Sequence, residues 1–299
     1  MGRKIAKPEP AGLERSCGNA TGDWVTFAHS APGIERLEAH FTGHAYDDHR
    51  HDTYALGLTL SGVQSFDYRG ARQDSAAGQV MVLHPDEAHN GRAGVEGGFR
   101  YRMIYLAPHL VAAALDGRAR HLPFLREAVS REPRLVAALT LALGEIDRPL
   151  EELAADNVTV ALADALLAND PSARRPIRGR PPKTAHRQAD LVRQFLDAHS
   201  AEIVASETLE KISGLDRFTL ARQFRHIFGT SPYNYLIMRR LEQARRLMTA
   251  GQGLADAALG AGFADQSHFT RQFKRSYGLT PGHWRHITQH PRPGPGHLD

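Results

Sequence analysis

The chain has 299 residues, a single cysteine and a formal net charge of +4, a length that suggests about two domains, each able to bury a core. One thiol, Cys17, excludes an intramolecular disulfide framework, and no apolar run reaches the roughly 18 residues of a membrane span. The charge is uneven: residues 1–170 carry 17 Lys/Arg against 23 Asp/Glu, and residues 183–299 carry 16 against 10, so the back half is the part suited to a polyanion.

The start, MGRKIAKPEPAG, is basic but is not followed by the apolar stretch of a secretory signal. With the lone thiol this points to a soluble cytoplasmic protein and away from a membrane partner. Residues 22–106 alternate short apolar runs with turn signals. The runs are Tyr54–Leu60, Val63–Tyr68, Gln79–Leu83 and Phe99–Leu106; the turns are Ser61-Gly62, Arg69-Gly70, Ala77-Gly78 and Gly97-Gly98. Short strands at this spacing predict an antiparallel sandwich or barrel.

Residues 107–169 change to alanine and leucine. Leu135, Val136, Leu139, Leu143 and Ile146 fall at helical spacing, and a second helix runs from Leu153 to Leu167, with Arg148-Pro149 breaking the two apart. Such a pair either packs on the sheet or forms a dimer contact. Residues 170–187, with four prolines and four arginines in their first part, form a linker. From 188 to 287 the pattern is helical throughout, and residues 288–299 form a disordered tail.

The helical region repeats itself. Leu220–Tyr235 aligns with Phe269–Trp284 at a constant offset, with Arg-Gln-Phe, a glycine and a proline identical. In each copy one apolar stripe (Leu220, Phe224 and Phe228; Phe269, Phe273 and Tyr277) marks a helix. Gly229 and Gly278 suit its left-handed C-cap. Ser231-Pro232 and Thr280-Pro281 then open the next helix. Upstream of each stands a short helix and a glycine-containing turn, Thr208–Leu215 and Leu254–Phe263. A short helix, a tight turn and a basic helix make a helix-turn-helix. A connecting helix from about Pro232 to Thr249 would span ~27 Å, enough to hold two recognition helices near successive major grooves of double-stranded DNA.

Residues 188–287 resemble the DNA-binding domain of the AraC/XylS family of bacterial regulators. The second half carries the likeness in Ala258, Gly262-Phe263, Asp265, Phe269, Arg271, Phe273-Lys274, Tyr277-Gly278 and Thr280-Pro281. In the first half, Glu210 stands where a small residue is usual, and Asp216 replaces a serine. The resemblance implies base-edge contacts at Phe218, Ala221 and Arg222 and at Gln266, Ser267 and Arg271. Arginine can pair with guanine and glutamine with adenine, although Arg222 and Arg271 could instead form structural salt bridges. Arg217, Arg225, Lys274 and Arg275 suit phosphate contacts.

Residues 40–106 resemble the cupin-like sensor barrel that often precedes this domain, through His49-Arg-His51-Asp-x-Tyr54 and Gly78–His84-Pro85-x-Glu87-x-His89. The fold class expected is therefore α+β with two domains: a cupin-like antiparallel β barrel (22–106) with a helical appendage, then an all-α domain with two helix-turn-helix units. The likeness implies a small-molecule effector in the barrel, with His49, His51, Tyr54, His89, Tyr101 and Arg102 as candidate ligand-binding residues. It also implies a homodimer, RNA polymerase as a partner, and activation as the commoner role. No cofactor and no catalytic residue is expected. The rival is a metal-dependent cupin enzyme with an accessory DNA-binding domain, holding its ion through His49, His51 and His89. Against it, the glutamate expected after the histidine pair is Ala55, with only Asp52 nearby. There is also no Gly-rich phosphate loop, Ser/His/Asp arrangement or CxxC pair.

Overall fold

The computed structural model describes residues 22–28, 31–174 and 183–289, without the side chains of 183–185. Cys17, most of the proline/arginine segment and residues 290–299 lie outside the described residues. The front half opens with strands β1 (Trp24–Phe27), β2 (Ile34–Phe41), β3 (His44–His49), β4 (Tyr54–Tyr68), β5 (Ala71–Ala76), β6 (Val80–Leu83), β7 (His89–Ala93) and β8 (Phe99–Leu106). There follow α1 (Pro108–Leu115), the short β9 (Val129–Ser130), α2 (Pro133–Leu143) and α3 (Glu152–Ala168).

All pairings are antiparallel. One leaf runs β1-β2-β8-β4-β6-β9; the other is built on the far half of β4, which pairs β5 and β7, with β7 in turn pairing β3. Strand β4 belongs to both leaves because it bends near Ser61-Gly62, where its register with β8 shifts. The turn expected there is instead a bulge inside one long strand. Gly62 has φ +68°, and a Cβ on it would run into the Gly98 carbonyl, so no other residue fits without backbone movement.

The expected closed barrel is not what forms. The sheet path ends at β1 and β9, and β3 finds its second partner outside the sheet. The Asp47 N–H donates to the Gly278 carbonyl at 3.0 Å, and Arg50 N–H, just past β3, donates to the Arg275 carbonyl at 3.0 Å. The exposed edge is therefore satisfied by the end of a helix from the back half, not by another strand.

Period-two patterning places Tyr54 and Leu56 of β4 on the outer face and Ala55, Phe66 and Tyr68 on the inner one. Helices α2 and α3 cover the outer face, where Leu135, Leu139, Leu143, Leu162 and Leu166 join Leu56, Val82 and Ile104 in one core. Charges on that face serve the same packing. Arg36 donates to the Ala142 and Arg148 carbonyls, and the buried Glu38 carboxylate binds both Arg100 and Arg102. The appendage thus packs on the sheet, leaving Leu141, Leu153 and Val160 exposed.

The back half contains α4 (Lys183–Ala198), α5 (Ser206–Ser213), α6 (Arg217–Phe228), α7 (Pro232–Thr249), α8 (Leu254–Gly260), α9 (Gln266–Tyr277) and α10 (Pro281–Gln289). It has two cores joined by α7. Leu220, Phe224 and Phe228 pack with Leu196 and Tyr235 in the first; Phe269 and Phe273 pack with Leu241, Phe263 and Trp284 in the second. The repeat is structural as well as sequential. Gly229 and Gly278 end α6 and α9 with φ +75° and +70°, and Ser231 and Thr280 cap the helices that follow.

Candidate functional site

Two basic helices, α6 and α9, occupy equivalent places in the two units, each opened by an aspartate. Asp216 accepts from the Phe218 and Thr219 amides at 3.1 and 3.0 Å, and Asp265 accepts from the His268 amide at 2.6 Å. Asp216 therefore replaces the usual serine with no loss of the cap. Glu210, the other departure, turns its carboxylate onto α6: it accepts from the Arg217 backbone N–H at 2.8 Å and from the Arg217 Nε at 3.3 Å. A second acid thus stands at the positive end of α6, where the helix dipole favours it, and Arg217 is held to the scaffold helix.

Phe218, Arg222, Gln266, Ser267 and Arg271 are exposed, and Ala221 is partly so. Phe218 is 70% exposed, unusual for an aromatic ring with a core within reach. Arg222 donates to the Thr219 hydroxyl at 3.0 Å. Among the described residues neither Arg222 nor Arg271 enters a salt bridge, and the Arg222 charge acts on the capping Asp216 carboxylate only at longer range.

Two of the remaining cations, Lys274 and Arg225, reach the sheet half. Lys274 binds the Asp47 carboxylate at 2.7 Å, and Arg225 binds that of Asp86, which also lies 3.9 Å from Arg50. Deeper contacts lock the same interface: Arg239 pairs with the buried Asp52 at 3.1 Å, and Arg245 pairs with Glu35 at 2.9 Å. The Arg245 guanidinium lies 4.6 Å from the Phe27 ring centre and 5.1 Å from those of Tyr277 and Trp284, a cation boxed by aromatic faces.

Behind Arg245 is a cavity of about 70 Å³, roofed by Tyr277, Leu279, Trp284 and Ile287 of the back half. A wider interdomain cleft of about 1180 Å³ shares Phe27, Glu35, Tyr105, Arg245, Tyr277 and Trp284 with it. On the sheet side the cavity gathers His49, His51, His89 and Tyr101, four of the six residues expected to bind ligand. Tyr54 and Arg102 are elsewhere. The Tyr54 hydroxyl donates to the Pro123 carbonyl, and Arg102 reaches the Leu143 carbonyl under α2. Both belong to the outer face, because strand alternation puts them out of phase with the cavity.

The three imidazoles form a cluster, with ring centres 4.2 Å (His49–His89), 4.9 Å (His51–His89) and 6.2 Å (His49–His51) apart. Each Nδ1 faces a backbone carbonyl: Asp47 at 2.8 Å, Thr53 at 2.9 Å and Glu87 at 3.0 Å. A carbonyl can only accept, so each Nδ1 carries the proton and each Nε2 is a lone-pair acceptor. Burial pushes His49 down to about 4 and His51 to about 3, and holds His89 well below its ordinary value; all three are neutral at pH 7. Among the described residues no group of three His, Cys, Asp or Glu side chains is arranged to hold a metal ion. Tyr46, Gln64, Arg245, Tyr277 and Trp284 also line the cavity and were not expected there. Tyr46 stands three residues before His49 on β3 and could have been suspected; the others reach it only through folding. His84, named with the histidines in the sequence, lies apart, accepting from the Leu125 amide at 2.9 Å beside Tyr68 and Arg69.

A family model described as an AraC-like ligand binding domain matches residues 31–167, and one described as a helix-turn-helix domain matches residues 209–287. The chain is 26% identical over 225 residues to the uncharacterized HTH-type transcriptional regulator YbfI of Bacillus subtilis, covering 75% of this chain and 81% of that one. It is 24% identical over 274 residues to the HTH-type transcriptional activator RhaS of Citrobacter koseri, covering 86% and 94%. Its fold is shared with a crystal structure of unsaturated fatty acid bound wild-type ToxT from Vibrio cholerae, with a TM-score of 0.58, 11% identity and coverage of 89% and 95%. No helix among the described residues is long and apolar enough to cross a membrane.

Proposed function

The chain belongs to the AraC/XylS family of transcriptional regulators, a ligand-binding half followed by a helix-turn-helix half, and from that premise we propose how it divides the work. It is a DNA-binding regulator that responds to a small molecule, not an enzyme. Residues 22–106 sense the effector, residues 107–169 brace the sheet, and residues 188–287 bind the operator. Phe218, Ala221, Arg222, Gln266, Ser267 and Arg271 contact base edges. Arg217, Arg225, Lys274 and Arg275 contact phosphates and set register. The chain acts in the cytoplasm, where its DNA is, as a homodimer that recruits RNA polymerase; the related RhaS is named an activator. The apolar side chains left exposed on α2 and α3 suit the dimer contact.

The observation that carries this reading is the repetition of an exposed reading face on α6 and α9, each with an arginine at the same turn. The test compares Arg271→Ala with Arg275→Ala on an operator found by genome-wide mapping of bound promoters. Arg271→Ala should cost ~1–3 kcal/mol on the operator and little on random duplex, whereas Arg275→Ala should weaken both alike and flatten the salt dependence. Equal loss on both DNAs for Arg271→Ala would overturn its place as a base reader.

The interface between the halves supports a coupling mechanism. The docked arrangement engages two of the four phosphate-contacting cations, Arg225 and Lys274, with carboxylates, while the base readers stay exposed. Asp47 and Asp86 thus compete with DNA phosphates for the same donors, and an effector that favours undocking strengthens DNA binding by its difference in affinity for the two states.

A further inference from the structure

We infer that the first helix-turn-helix unit selects thymine by its methyl group, through Phe218 and Ala221, so that the two halves of the operator are read by different chemistry. The inference rests on the regulator reading and adds to it which base the first unit prefers and by what force.

The starting point is a difference inside the repeat. Helices α6 and α9 have the same length, the same aspartate cap and the same glycine end, so residues at the repeat's constant offset hold equivalent places. Arg222 and Arg271 match. Where α9 presents Ser267 and Thr270, however, α6 presents Phe218 and Ala221. The two hydroxyls can donate or accept at a base edge; the ring and the methyl can do neither. The acids at this end of α6 do not supply the missing polarity. Asp216 accepts from the Phe218 and Thr219 amides, and Glu210 accepts from Arg217. A carboxylate is the side chain that would seek the cytosine amino group, and both are turned onto the helix's own N-terminus.

The ring has no place in the fold. Phe224, Phe228 and Tyr235 stack on one another beneath α6, whereas Phe218 is 70% exposed in its first turn. What covers it is decided by its neighbours, Arg217 and Arg222, both exposed. A second copy of this face would set cation against cation, and an apolar protein groove would have to strip both of water. A DNA groove is walled by phosphates and offers them counter-charge. Within the major groove the apolar group on the bases is the thymine C5 methyl.

Spacing makes the preference more specific. Phe218, Ala221 and Arg222 stand at i, i+3 and i+4 and so share one side of the helix. Phe218 and Ala221 are ~4.5 Å apart along the axis, little more than one base step of ~3.4 Å. The ring and the methyl therefore meet neighbouring base pairs. The Arg222 guanidinium, steadied by the Thr219 hydroxyl at 3.0 Å, reaches a guanine beside them. The half-site under α6 is two adjacent T·A pairs next to a G·C pair.

Selection of bound duplexes from a randomised pool, by full-length wild type and by Phe218→Ser, tests this. The half-site under α6 is the one whose preference changes in the variant, and in the wild type it should hold the adjacent thymines. Replacing both thymines with deoxyuridine removes the methyls and leaves every hydrogen-bonding group in place. Wild-type affinity should then fall about fifteen-fold, roughly four-fold per methyl at the ~0.8 kcal/mol of one buried CH₂. Phe218→Ser should lose only the roughly four-fold share of Ala221, with an unchanged thermal midpoint because the ring is exposed. A selected motif that Phe218→Ser leaves unaltered would overturn the role of Phe218. A half-site without adjacent thymines, no loss with deoxyuridine, or an equal loss in both proteins would overturn methyl reading. Enrichment of no sequence at all by the wild type would instead count against the regulator reading itself, so the two failures are distinguishable.

Discussion

Neutralising Asp47 and Asp86 together, as Asp47→Asn/Asp86→Asn, should make the protein bind DNA more tightly without touching a DNA-binding residue. The two carboxylates hold Lys274 and Arg225 across the seam. Side-chain exposure is 46% for Lys274 and 63% for Arg225, against 29% and 10% for their acids, so solvent screens both pairs. Exposed pairs are worth about 0.2–1 kcal/mol each; the low exposure of Asp86 places its pair near the upper end. Together they contribute about 1–2 kcal/mol to docking, a factor of roughly 5–30 in the equilibrium. The Arg239–Asp52 and Arg245–Glu35 contacts remain, so the halves still dock, but less often. Because apparent affinity scales with the competent fraction, DNA binding should tighten by up to that factor, on operator and random duplex alike. Fluorescence anisotropy at fixed salt measures it. Removing negative charge also helps any protein approach DNA, so Glu152→Gln/Asp156→Asn, two exposed acids on α3, serves as the charge-matched control. An unchanged affinity, or a gain no larger than the control's, would refute competition between these acids and phosphate.

Two further outcomes concern the sheet half. Gly62→Ala should destabilise by more than about 1 kcal/mol, since φ +68° and the Gly98 carbonyl both oppose a Cβ; an unchanged midpoint in urea unfolding would refute the bulge. The buried histidines set a pH limit. Their folded values lie below the unfolded value near 6.5, at about 4 for His49 and about 3 for His51, so the unfolded chain binds protons first. Stability is full above pH ~6.5 and is lost as pH falls from there towards those folded values. The double variant His51→Asn/His89→Asn should show a shallower fall of the thermal midpoint over that window, and an equally steep one would place the acid sensitivity elsewhere.

The DNA-binding half was legible because its determinants are local. Stripes such as Leu220, Phe224 and Phe228, the left-handed glycines Gly229 and Gly278, and the Ser-Pro and Thr-Pro helix starts each act within a turn or two of chain. Repetition then doubled every signal. Glu210 was the exception: its carboxylate reaches seven residues along to cap α6, a distance at which spacing no longer specifies a contact.

The sheet half was legible as alternation and turns, and that much followed from sequence alone. Whether nine short strands close is another matter. Closure depends on what satisfies the edges, and at β3 the acceptors are carbonyls of Arg275 and Gly278, more than two hundred residues away. The same distance hid the site. His49, His51 and His89 could be named from their motif, but Tyr54 and Arg102, named beside them, fall on the opposite face of the pleat. Arg245, Tyr277 and Trp284 became part of the cavity only when the second unit docked. Local chemistry set the helices, caps and reading faces; the seam between the halves, which joins sensor to reader, is made of contacts that only the tertiary structure brings together.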